Sequence, residues 1–476
     1  IAAAVALITR RIYHSLFTPP KNLRHIPNVS YLQQFLNRNP VLWTIYVADP
    51  ILAKDVTFRP EFANKVNAIE ASFGSNGSFE AFIGSDNVAA VNNPHWKNQR
   101  KIMNPAFHRS QPVGLFGNLM LEVFRSIDET QANGDHVIII KVAQRLTLEA
   151  LGRAVFGFKF NALNDENSIW VKTYNQFIEG FTDFTVFLPR INKILRWFDH
   201  KRREQYEAGF KLAELLDKMA AEKKQALLEK KTKKDGDDIP DSEKDLLTLM
   251  LEAEMNDKEG VSMTKKELRH NMGIFFLAGH ETTSNSLSFA IYNLAKDKKI
   301  QEKARQEAIT VLGDEPKDVF PTLDNCKKFT YIDMIVKEGL RLLPPANDLL
   351  PRVPTNDTNL GGVMIPKDSL VSVDIHALHH NPHVWKNPKE FIPERFEEGG
   401  EHSKHKGLTY MPFGSGSRTC IGVNFSTMEQ RVALSMLLRK YEWELPEDSI
   451  HQNELVVPNI FNQVPKSLKI EFTKRY

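Results

Sequence analysis

The chain has 476 residues, of which 42% are hydrophobic and 25% are charged, a mixture typical of a globular protein with a large core. Its formal net charge of +3 is nearly balanced and gives no reason to expect a nucleic-acid partner. With only two cysteines, Cys326 and Cys420, a disulfide framework is implausible and a reducing compartment is favoured. We expect Cys326 to be an ordinary buried residue.

The chain opens on an apolar run from Ile1 to Ile8, which Arg10 and Arg11 follow. This run is too short to cross a bilayer, which takes roughly 20 apolar residues. We interpret residues 1–27 as the end of an N-terminal membrane anchor and a proline-rich hinge, with the arginines on the cytoplasmic side. A frayed amphipathic start is the alternative. Residues 28–476 are expected to form one domain.

The first two thirds of that domain are predicted to be mostly helical. Residues 41–47 alternate in polarity and are rich in β-formers, which predicts a strand. From about residue 95 to 345, apolar residues recur at three- and four-residue spacings and prolines are few, which predicts helices. The charged run at 229–240 is predicted to be a solvated loop.

The last part of the chain has a different texture. Residues 360–373 are predicted to form short strands around turns. The segment 379–418 is irregular and rich in Pro, Gly, Asn and His, and segments of that length are usually functional. A helix is expected at 423–438 and a closing hairpin at 456–472. The predicted fold class is therefore mainly α with a smaller β-rich part.

The most informative motif is the loop Phe413-Gly-Ser-Gly-Ser-Arg-Thr-Cys420-Ile-Gly422, directly before a predicted helix. Its glycines permit tight turns and the close approach of another group. A cysteine before a helix has its thiolate stabilised by free amides and the helix dipole. Arg418 adds a cation suited to a carboxylate. These features favour an anionic sulfur ligand beside a bulky cofactor that carries carboxylates, although a glycine-rich turn with an inert cysteine is the simpler alternative.

This loop resembles the cysteine motif of the cytochrome P450 family, Phe-x-x-Gly-x-Arg-x-Cys-x-Gly, at Phe413, Gly416, Arg418, Cys420 and Gly422. The resemblance implies the P450 fold, with residues 28–476 as a haem-thiolate catalytic domain that holds heme b. It implies that Cys420 is the proximal iron ligand and that Phe413 and Arg418 are cofactor-binding residues. Thiolate ligation of this kind favours O–O bond cleavage.

A second motif is Glu338-Gly-Leu-Arg341, whose charged residues share a helix face. Alone it could be a solvated ion pair, which contributes little. In the resemblance, Glu338 and Arg341 form a buried charge triad with Arg395, in Pro393-Glu-Arg-Phe396, and the triad locks the segment that leads to the cysteine loop.

A third motif, Ala278-Gly-His-Glu281-Thr282-Thr, lies inside a long apolar helical run. Polar groups at the centre of a buried helix are unfavourable unless they are used, and Thr hydroxyls can open a helix by bonding to the preceding turn. A polar stripe packed against water is the alternative. The resemblance implies that Thr282 is the oxygen-activating threonine and that Glu281 is its neighbouring acid, which together orient water and relay protons.

Three further residues are expected at the cofactor. Trp96 and Arg100 lie four apart on one predicted helix face and match the family's Trp-x-x-x-Arg element, and Arg352 stands where many members place a propionate-binding arginine. The histidines at 376, 379, 380 and 383 suggest a metal site, but no carboxylate or cysteine accompanies them at ligand spacing, so we interpret them as loop residues.

The expected partners follow from the resemblance and from the absence of a dinucleotide-binding motif. Because no glycine-rich dinucleotide motif lies between a strand and a helix, electrons must come from another protein. With a membrane anchor, the resemblance implies the endoplasmic-reticulum type facing the cytoplasm, supplied by NADPH–cytochrome P450 reductase, with cytochrome b5 as a second donor. A basic docking face is one interpretation of Lys97, Lys101, Arg431, Arg439 and Lys440; ordinary solvated residues are the other.

The substrate is expected to be lipophilic, because the predicted pocket segments are largely aliphatic and aromatic. These segments are 79–91, 177–188, 274–278, 346–350 and 459–461. The sequence resembles fungal members, which favours a steroid, a terpenoid or a fatty chain. Phe181, Phe184, Phe187 and Leu188 could instead enter the membrane surface. Two rival functions are a peroxide isomerase or dehydratase of the same fold and a haem-binding sensor or carrier.

Overall fold

A computed structural model describes residues 44–65, 77–108, 112–181, 189–232, 244–255, 262–457 and 464–476. Its helices are α1 Pro50–Phe58, α2 Ser78–Phe82, α3 His95–His108, α4 Val113–Ala132, α5 Ile139–Leu151, α6 Ile169–Phe181, α7 Pro189–Phe198, α8 His200–Thr232, α9 Leu246–Met255, α10 Lys265–Lys296, α11 Lys298–Leu312, α12 Leu323–Lys328, α13 Thr330–Leu342, α14 Ile375–His379 and α15 Val423–Lys440. Its strands are β1 Thr44–Val47, β2 Asn64–Lys65, β3 Val137–Ile138, β4 Arg352–Val353, β5 Thr358–Leu360, β6 Val363–Ile365, β7 Leu370–Val373, β8 Tyr441–Glu444 and β9 Lys469–Lys474. The mainly helical fold with a smaller β-rich part is confirmed.

Three of these predictions fall partly or wholly outside this description. The anchor end and hinge at 1–27 lie outside the described residues, as do residues 41–43 of the first predicted strand. Of the charged run, residues 229–232 continue α8 as a helix, and the remainder lies outside the described residues.

Helix α10 lies at the centre of the helical part. A capping box begins it: the Thr264 hydroxyl accepts from the Glu267 amide at 3.1 Å, and the Glu267 carboxylate accepts from the Thr264 amide at 2.8 Å. From Ser284 to Ala295 every residue is buried. The helix packs against α5 on one side and against α13 and α15 on the other, so it can present side chains to several surroundings.

The β-rich part consists of small sheets. One sheet has the order β1-β7-β4-β2, with β1 parallel to β7. Strands β5 and β6 form a hairpin, as predicted for 360–373. Of the closing hairpin predicted at 456–472, residues 458–463 lie outside the described residues, and the described strand β9 pairs with β8 and with β3. The reason is that Tyr441 and Trp443 of β8 are buried and supply an apolar face for Phe472 of β9.

The Glu338 carboxylate is the centre of a buried ion network. It accepts from Arg341 in a bidentate pair at 2.7 and 2.8 Å and from Arg395 Nε at 3.2 Å. The backbone N–H of Ile392 adds a fourth hydrogen bond at 3.0 Å. The side chains of the three charged residues are 0–2% exposed. The geometry expected for this triad is therefore present.

His379 connects this network to the cysteine loop. Its Nδ1 is 3.2 Å from the Arg341 carbonyl, and its Nε2 accepts from the Met411 amide at 2.9 Å. Burial lowers the pKa of His379 to about 3, so the ring is neutral and donates through Nδ1. The interpretation of this histidine as a loop residue was wrong, since it ends the short helix α14 and is fully buried.

We predict that Glu338→Ala destabilises the fold strongly. Removing one partner of a buried ion network leaves uncompensated buried charge, here on Arg341, since Arg395 also pairs with Glu401, at a loss of about 3–5 kcal/mol. Urea denaturation followed by far-UV circular dichroism measures the free energy of unfolding.

The chain contains a matched control, because Asp324 and Lys327 form an ion pair at the same i, i+3 spacing but are 83% and 65% exposed. Asp324→Ala should leave stability nearly unchanged, since exposed pairs contribute little. Equal effects of the two substitutions would contradict the importance of the buried network.

Candidate functional site

The cysteine loop folds tightly in front of α15. Gly414 and Gly416 have φ values of 69° and 70°, a left-handed conformation that favours glycine. The Cys420 amide donates to the Phe413 carbonyl at 2.9 Å and closes the loop. Phe413 itself is half-buried and packs against the main core. The loop therefore holds the cysteine sulfur on a constrained backbone.

Cys420 is accessible although it is closely surrounded by protein, and the space in front of its sulfur is called the cavity below. Its side chain is exposed, yet protein surrounds it so closely that burial raises the pKa of its thiol. The Gly422 amide and the Arg100 guanidinium act in the opposite direction but more weakly. The helix terminus alone therefore does not make the sulfur anionic, and a thiolate here calls for a further positive partner such as a metal ion.

Helix α10 has exposed residues at its polar centre. Ala278 and Thr282, one turn apart, are exposed, whereas His280, Glu281 and Thr283 are buried. The Thr282 hydroxyl donates to the Ala278 carbonyl at 2.9 Å. On the next face, the Thr283 hydroxyl bonds that of Ser426 in α15 at 3.0 Å. Because Ser426 follows Cys420 closely, this bond holds the polar centre of α10 beside the cysteine helix.

Glu281 points away from these exposed residues, towards α6. Its carboxylate contributes to raising the pKa of the Tyr174 hydroxyl well above the ordinary value, after the larger effect of burial. The two residues of the predicted acid–alcohol pair, Glu281 and Thr282, therefore face different surroundings.

Four cations cluster near the cysteine: Lys65, Arg100, Arg352 and Arg418. Burial is the main cause that lowers the pKa of each, to about 7 for Lys65 and to about 10 for Arg418. The charged groups that lower the pKa of Lys65 further are the three arginines themselves. Like charges so close together and so far from water are unfavourable unless anions join them.

Trp96 contacts one of these arginines, and Asn92 holds the backbone of the lysine. The Arg418 guanidinium lies over the Trp96 ring at 4.2 Å and donates to the Val91 carbonyl at 2.9 Å. Asn92 accepts from the Lys65 amide and donates to the Lys65 carbonyl, both at 2.9 Å. Trp96, which is expected at the cofactor, thus also contacts one of the cations expected there, Arg418.

Lys65 was missed in the sequence because no motif marks it. It lies on β2, which pairs with β4 at Arg352, so the small sheet brings the two cations together. Its ammonium group donates to the Ala89 carbonyl at 3.0 Å.

These features fit a haem group. A cysteine sulfur that faces the cavity is a soft metal ligand. The cations around it match the two carboxylates of heme b. The described residues offer no group of three or more His, Cys, Asp or Glu side chains that could hold a bare metal ion.

The basic docking face was partly wrong. Arg439 is buried and donates to the carbonyls of Gly313, Glu315 and Lys317. Arg431 is ion-paired with Asp333 and Lys440 with Asp318. These side chains bind neighbouring segments of the chain because the last turns of α15 are packed inside the fold. Lys97 and Lys101 of α3 are exposed.

Some predicted pocket segments lie outside the described residues, namely 182–188 and 459–461. They include Phe184, Phe187 and Leu188; Phe181 ends α6, and its side chain also lies outside the description. Within the described part, Phe79 stacks on Phe177 at 6.2 Å between ring centroids. Cys326 is buried, as expected.

Comparison with known proteins points to one family. Residues 46–472 match the family model described as Cytochrome P450. The chain is 30% identical to cytochrome P450 3A2 of Rattus norvegicus, over 75% of this chain and 69% of that protein. It is 28% identical to cytochrome P450 3A11 of Mus musculus, over 84% and 76%. It is 27% identical to Protein LUTEIN DEFICIENT 5, chloroplastic, of Arabidopsis thaliana, over 84% and 65%.

We predict that Lys65 makes the stability of the cofactor-free protein depend on pH. With its pKa lowered from 10.5 to about 7, the folded state binds fewer protons here than the unfolded state between those values. Stability therefore rises with pH across this window and is lowest below it. Lys65→Met should raise the free energy of unfolding most near pH 6, and the gain should shrink towards about pH 9.5.

Lys97→Met is the control, since Lys97 is exposed on α3. The difference in free energy of unfolding between Lys97→Met and the wild-type protein should not change with pH. A pH-independent difference for Lys65→Met would contradict the burial of this cation. Urea titrations at several pH values provide the measurement.

Proposed function

Because the chain belongs to the cytochrome P450 family, which are monooxygenases that use heme b, we propose that it inserts one oxygen atom from O₂ into a lipophilic substrate with Cys420 as the iron ligand. The observation that carries this proposal is the Cys420 sulfur, which is accessible although closely surrounded by protein and lies near a cluster of partly or fully buried cations. Cys326, the other cysteine, is buried in the main core and has a thiol pKa raised by burial to about 11.

Different residues around the cavity would hold different parts of the cofactor. Heme b, when bound, supplies the oxygen-activating iron, and a thiolate ligand favours O–O cleavage. Arg100, Arg352, Arg418 and Lys65 would hold its carboxylates by charge-assisted hydrogen bonds. Trp96 would keep the Arg418 guanidinium in place, and Phe413 would anchor the loop through its carbonyl bond to Cys420.

Thr282 and Glu281 are proposed to orient water and relay protons. We assign the exposed Thr282 hydroxyl to the cavity; because it donates to the Ala278 carbonyl, its oxygen can still accept a hydrogen bond from a donor. A side-chain hydroxyl bonded to the preceding turn also loosens the local helix. Glu281 would supply protons as the adjacent acid.

The substrate is proposed to be a steroid, a terpenoid or a fatty chain. Ile274 is half-buried and Ala278 is exposed on α10, and we assign both aliphatic side chains to the cavity. The predicted pocket segments also include the stacked rings of Phe79 and Phe177. Apolar walls with few polar groups favour lipophilic ligands.

Electrons are proposed to come from NADPH–cytochrome P450 reductase, with cytochrome b5 as a second donor. Lys97 and Lys101 are exposed on α3, the same helix that carries Arg100 towards Cys420. Exposed lysines on this helix would steer an acidic partner to the cysteine side of the cofactor.

Association with the cytoplasmic face of the endoplasmic-reticulum membrane is also proposed. Helix α7 exposes Ile191, Ile194, Trp197 and Phe198, the last two by 77% and 85%. Basic residues flank this apolar face, a pattern typical of helices that lie in a membrane surface. Among the helices of the described ranges, none is long and apolar enough to span a bilayer.

Cys420→Ser should abolish the strongly red-shifted Soret band of the reduced protein under carbon monoxide. This band reports thiolate opposite the gas, and the substitution removes the thiolate. Cys326→Ser is the control and should keep the band. Turnover that requires both the reductase and O₂ separates a monooxygenase from an isomerase and from a carrier. A band typical of histidine-ligated haem in the wild-type protein would refute the assignment of Cys420.

Thr282→Ala should consume NADPH while releasing peroxide, because proton delivery becomes misdirected. The ratio of product to NADPH is expected to fall about tenfold or more, within the usual contribution of general acid–base catalysis. Thr283→Ala is the matched control, since Thr283 faces α15 and not the cavity. Equal coupling in the two variants would argue against the role of Thr282.

Ile194→Ser combined with Phe198→Ser should weaken binding to vesicles of phosphatidylcholine and phosphatidylserine. The substitutions remove apolar area that would otherwise enter the membrane surface. Ile450→Ser, at a residue 58% exposed elsewhere on the surface, is the control. Vesicle flotation measures the bound fraction, and unchanged flotation of the double variant would exclude α7 from the membrane contact.

A further inference from the structure

We infer that His376 and His380 form a surface binding site for one divalent transition-metal ion that prefers imidazole ligands, zinc among them. The sequence contains histidines at 376, 379, 380 and 383, and the proposed function uses none of them as a ligand. In the structure, the rings of His376 and His380 lie one above the other, with centroids 4.2 Å apart and 23° between their planes. This pairing carries the inference.

A single helical turn holds the two histidines in position. Helix α14 covers Ile375–His379, and the His380 amide donates to the His376 carbonyl at 3.0 Å, so the turn from 376 to 380 is complete. Residues four apart lie on the same face of a helix, and two histidines at this spacing can bind one zinc ion together. An unfolded chain does not hold two imidazoles at this distance, so the site exists only where α14 is formed.

The hydrogen bond of the His380 ring provides a second, independent indication. Its Nδ1 lies 2.9 Å from the His376 carbonyl oxygen. Because a carbonyl group can only accept, Nδ1 of the neutral ring carries the proton and Nε2 carries the lone pair. Metal-binding histidines commonly donate their other ring N–H to a carbonyl group, which fixes the tautomer and the orientation of the ring. His380 therefore has the supporting hydrogen bond that is typical of a metal ligand.

The two rings need only a small movement to share an ion. Zinc binds imidazole nitrogen at about 2.0–2.1 Å, so two nitrogens on one tetrahedral ion are about 3.4 Å apart. The ring centroids of His376 and His380 are already close to this separation. Since the ring planes are nearly parallel, each ring has to turn about its Cβ–Cγ bond until both nitrogen edges point at the ion. Torsions of this kind have broad minima in proteins, so the turn is easily made.

Solvent reaches the pair, and two protein ligands leave coordination positions for water. His376 is exposed and His380 is half-buried. His379 cannot join them, because its ring nitrogens are bonded to the Arg341 carbonyl and the Met411 amide. In the part of the chain that the structure describes, no third His, Cys, Asp or Glu completes a metal-binding group. The site is therefore an open one, from which the ion can exchange with the solvent.

The neighbouring charges determine which ions can bind. Arg341 and Lys389 are close enough to act on the charge of His380. Glu338 balances the charge of Arg341, and Lys389 is exposed, so that solvent and salt screen it. An ion must therefore gain its affinity from the imidazole nitrogens, which suit zinc, nickel and copper, whereas magnesium and calcium prefer oxygen ligands. We expect the site to bind zinc and nickel and to ignore magnesium.

A bound ion would brace α14 and the segment that it holds. His379 ends this helix and binds the Met411 amide, which closely precedes the cysteine loop. An ion that binds only the formed helical turn opposes local opening of that turn. With zinc at about 100 times its dissociation constant, the ratio of formed to opened α14 should rise about 100-fold.

Zinc titration of the haem-loaded full chain tests the site. The protein is first treated with EDTA and desalted, and isothermal titration calorimetry then gives the number of bound ions and their dissociation constants. His376→Asn and His380→Asn should each weaken zinc binding about tenfold or more, because even the loss of a group that only supports a metal ligand costs about 10–100-fold. His383→Asn, at an exposed histidine outside the pair, is the matched control and should leave the dissociation constant unchanged.

Absence of zinc binding to the wild-type protein would overturn the site, as would wild-type affinity in His376→Asn or in His380→Asn. Diethyl pyrocarbonate labelling keeps the inference testable if these variants fold poorly, because this reagent modifies imidazole nitrogens that carry a lone pair. Zinc at about ten times its dissociation constant should slow labelling of His376 and His380 in the wild-type protein about tenfold, in proportion to the unoccupied fraction. Labelling of the exposed His200 is the internal control, and equal protection of all three would contradict a specific site.

Hydrogen–deuterium exchange followed by mass spectrometry tests the bracing of α14. Zinc should slow exchange of the amides from 375 to 380 in the wild-type protein but not in His380→Asn, since local opening limits exchange there. Unchanged exchange in wild-type protein that has bound zinc would refute the bracing. These experiments measure binding and local stability rather than turnover, so their outcome is independent of the proposed monooxygenase function.

Discussion

The buried carboxylate of Glu338 is the interaction on which the fold around the cysteine depends, because a buried charge requires partners. Arg341 comes from the same helix, whereas Arg395 and the Ile392 amide come from the irregular segment beyond it. Because an unpaired buried charge is so unfavourable, this segment is bound to α13 although it has little regular secondary structure. His379 extends the attachment to Met411, which closely precedes the loop that carries Cys420.

The charges near Cys420 are arranged differently from the balanced charges around Glu338. Around Glu338 each charge has its counter-charge inside the protein, whereas Lys65 is surrounded by arginines that repel it. Such a cluster weakens the protein alone and stabilises the complex with a dianionic cofactor, because a ligand that binds only the folded state shifts the folding equilibrium. The burial that lowers the pKa of these cations also strengthens each hydrogen bond that they make to a carboxylate.

The faces of helix α10 contact different parts of the protein. One face leaves Ala278 and Thr282 exposed, another gives Thr283 to α15, and a third gives Glu281 to α6. Since successive residues on a helix point about 100° apart, a short polar run can address three neighbours at once. This accounts for a Gly-His-Glu-Thr-Thr run at the centre of an otherwise apolar helix.

The amino-acid sequence by itself determined the family, the mainly helical fold class and which cysteine is the candidate iron ligand, because these depend on short runs such as the loop from Phe413 to Gly422 whose spacing is read locally. Tertiary structure alone decided that Lys65 joins the arginines, that Arg439 is buried and that β9 pairs with β8. Each of these outcomes is a contact between segments far apart in the chain. Burial and like-charge proximity arise only when such segments meet, so no local pattern encodes them.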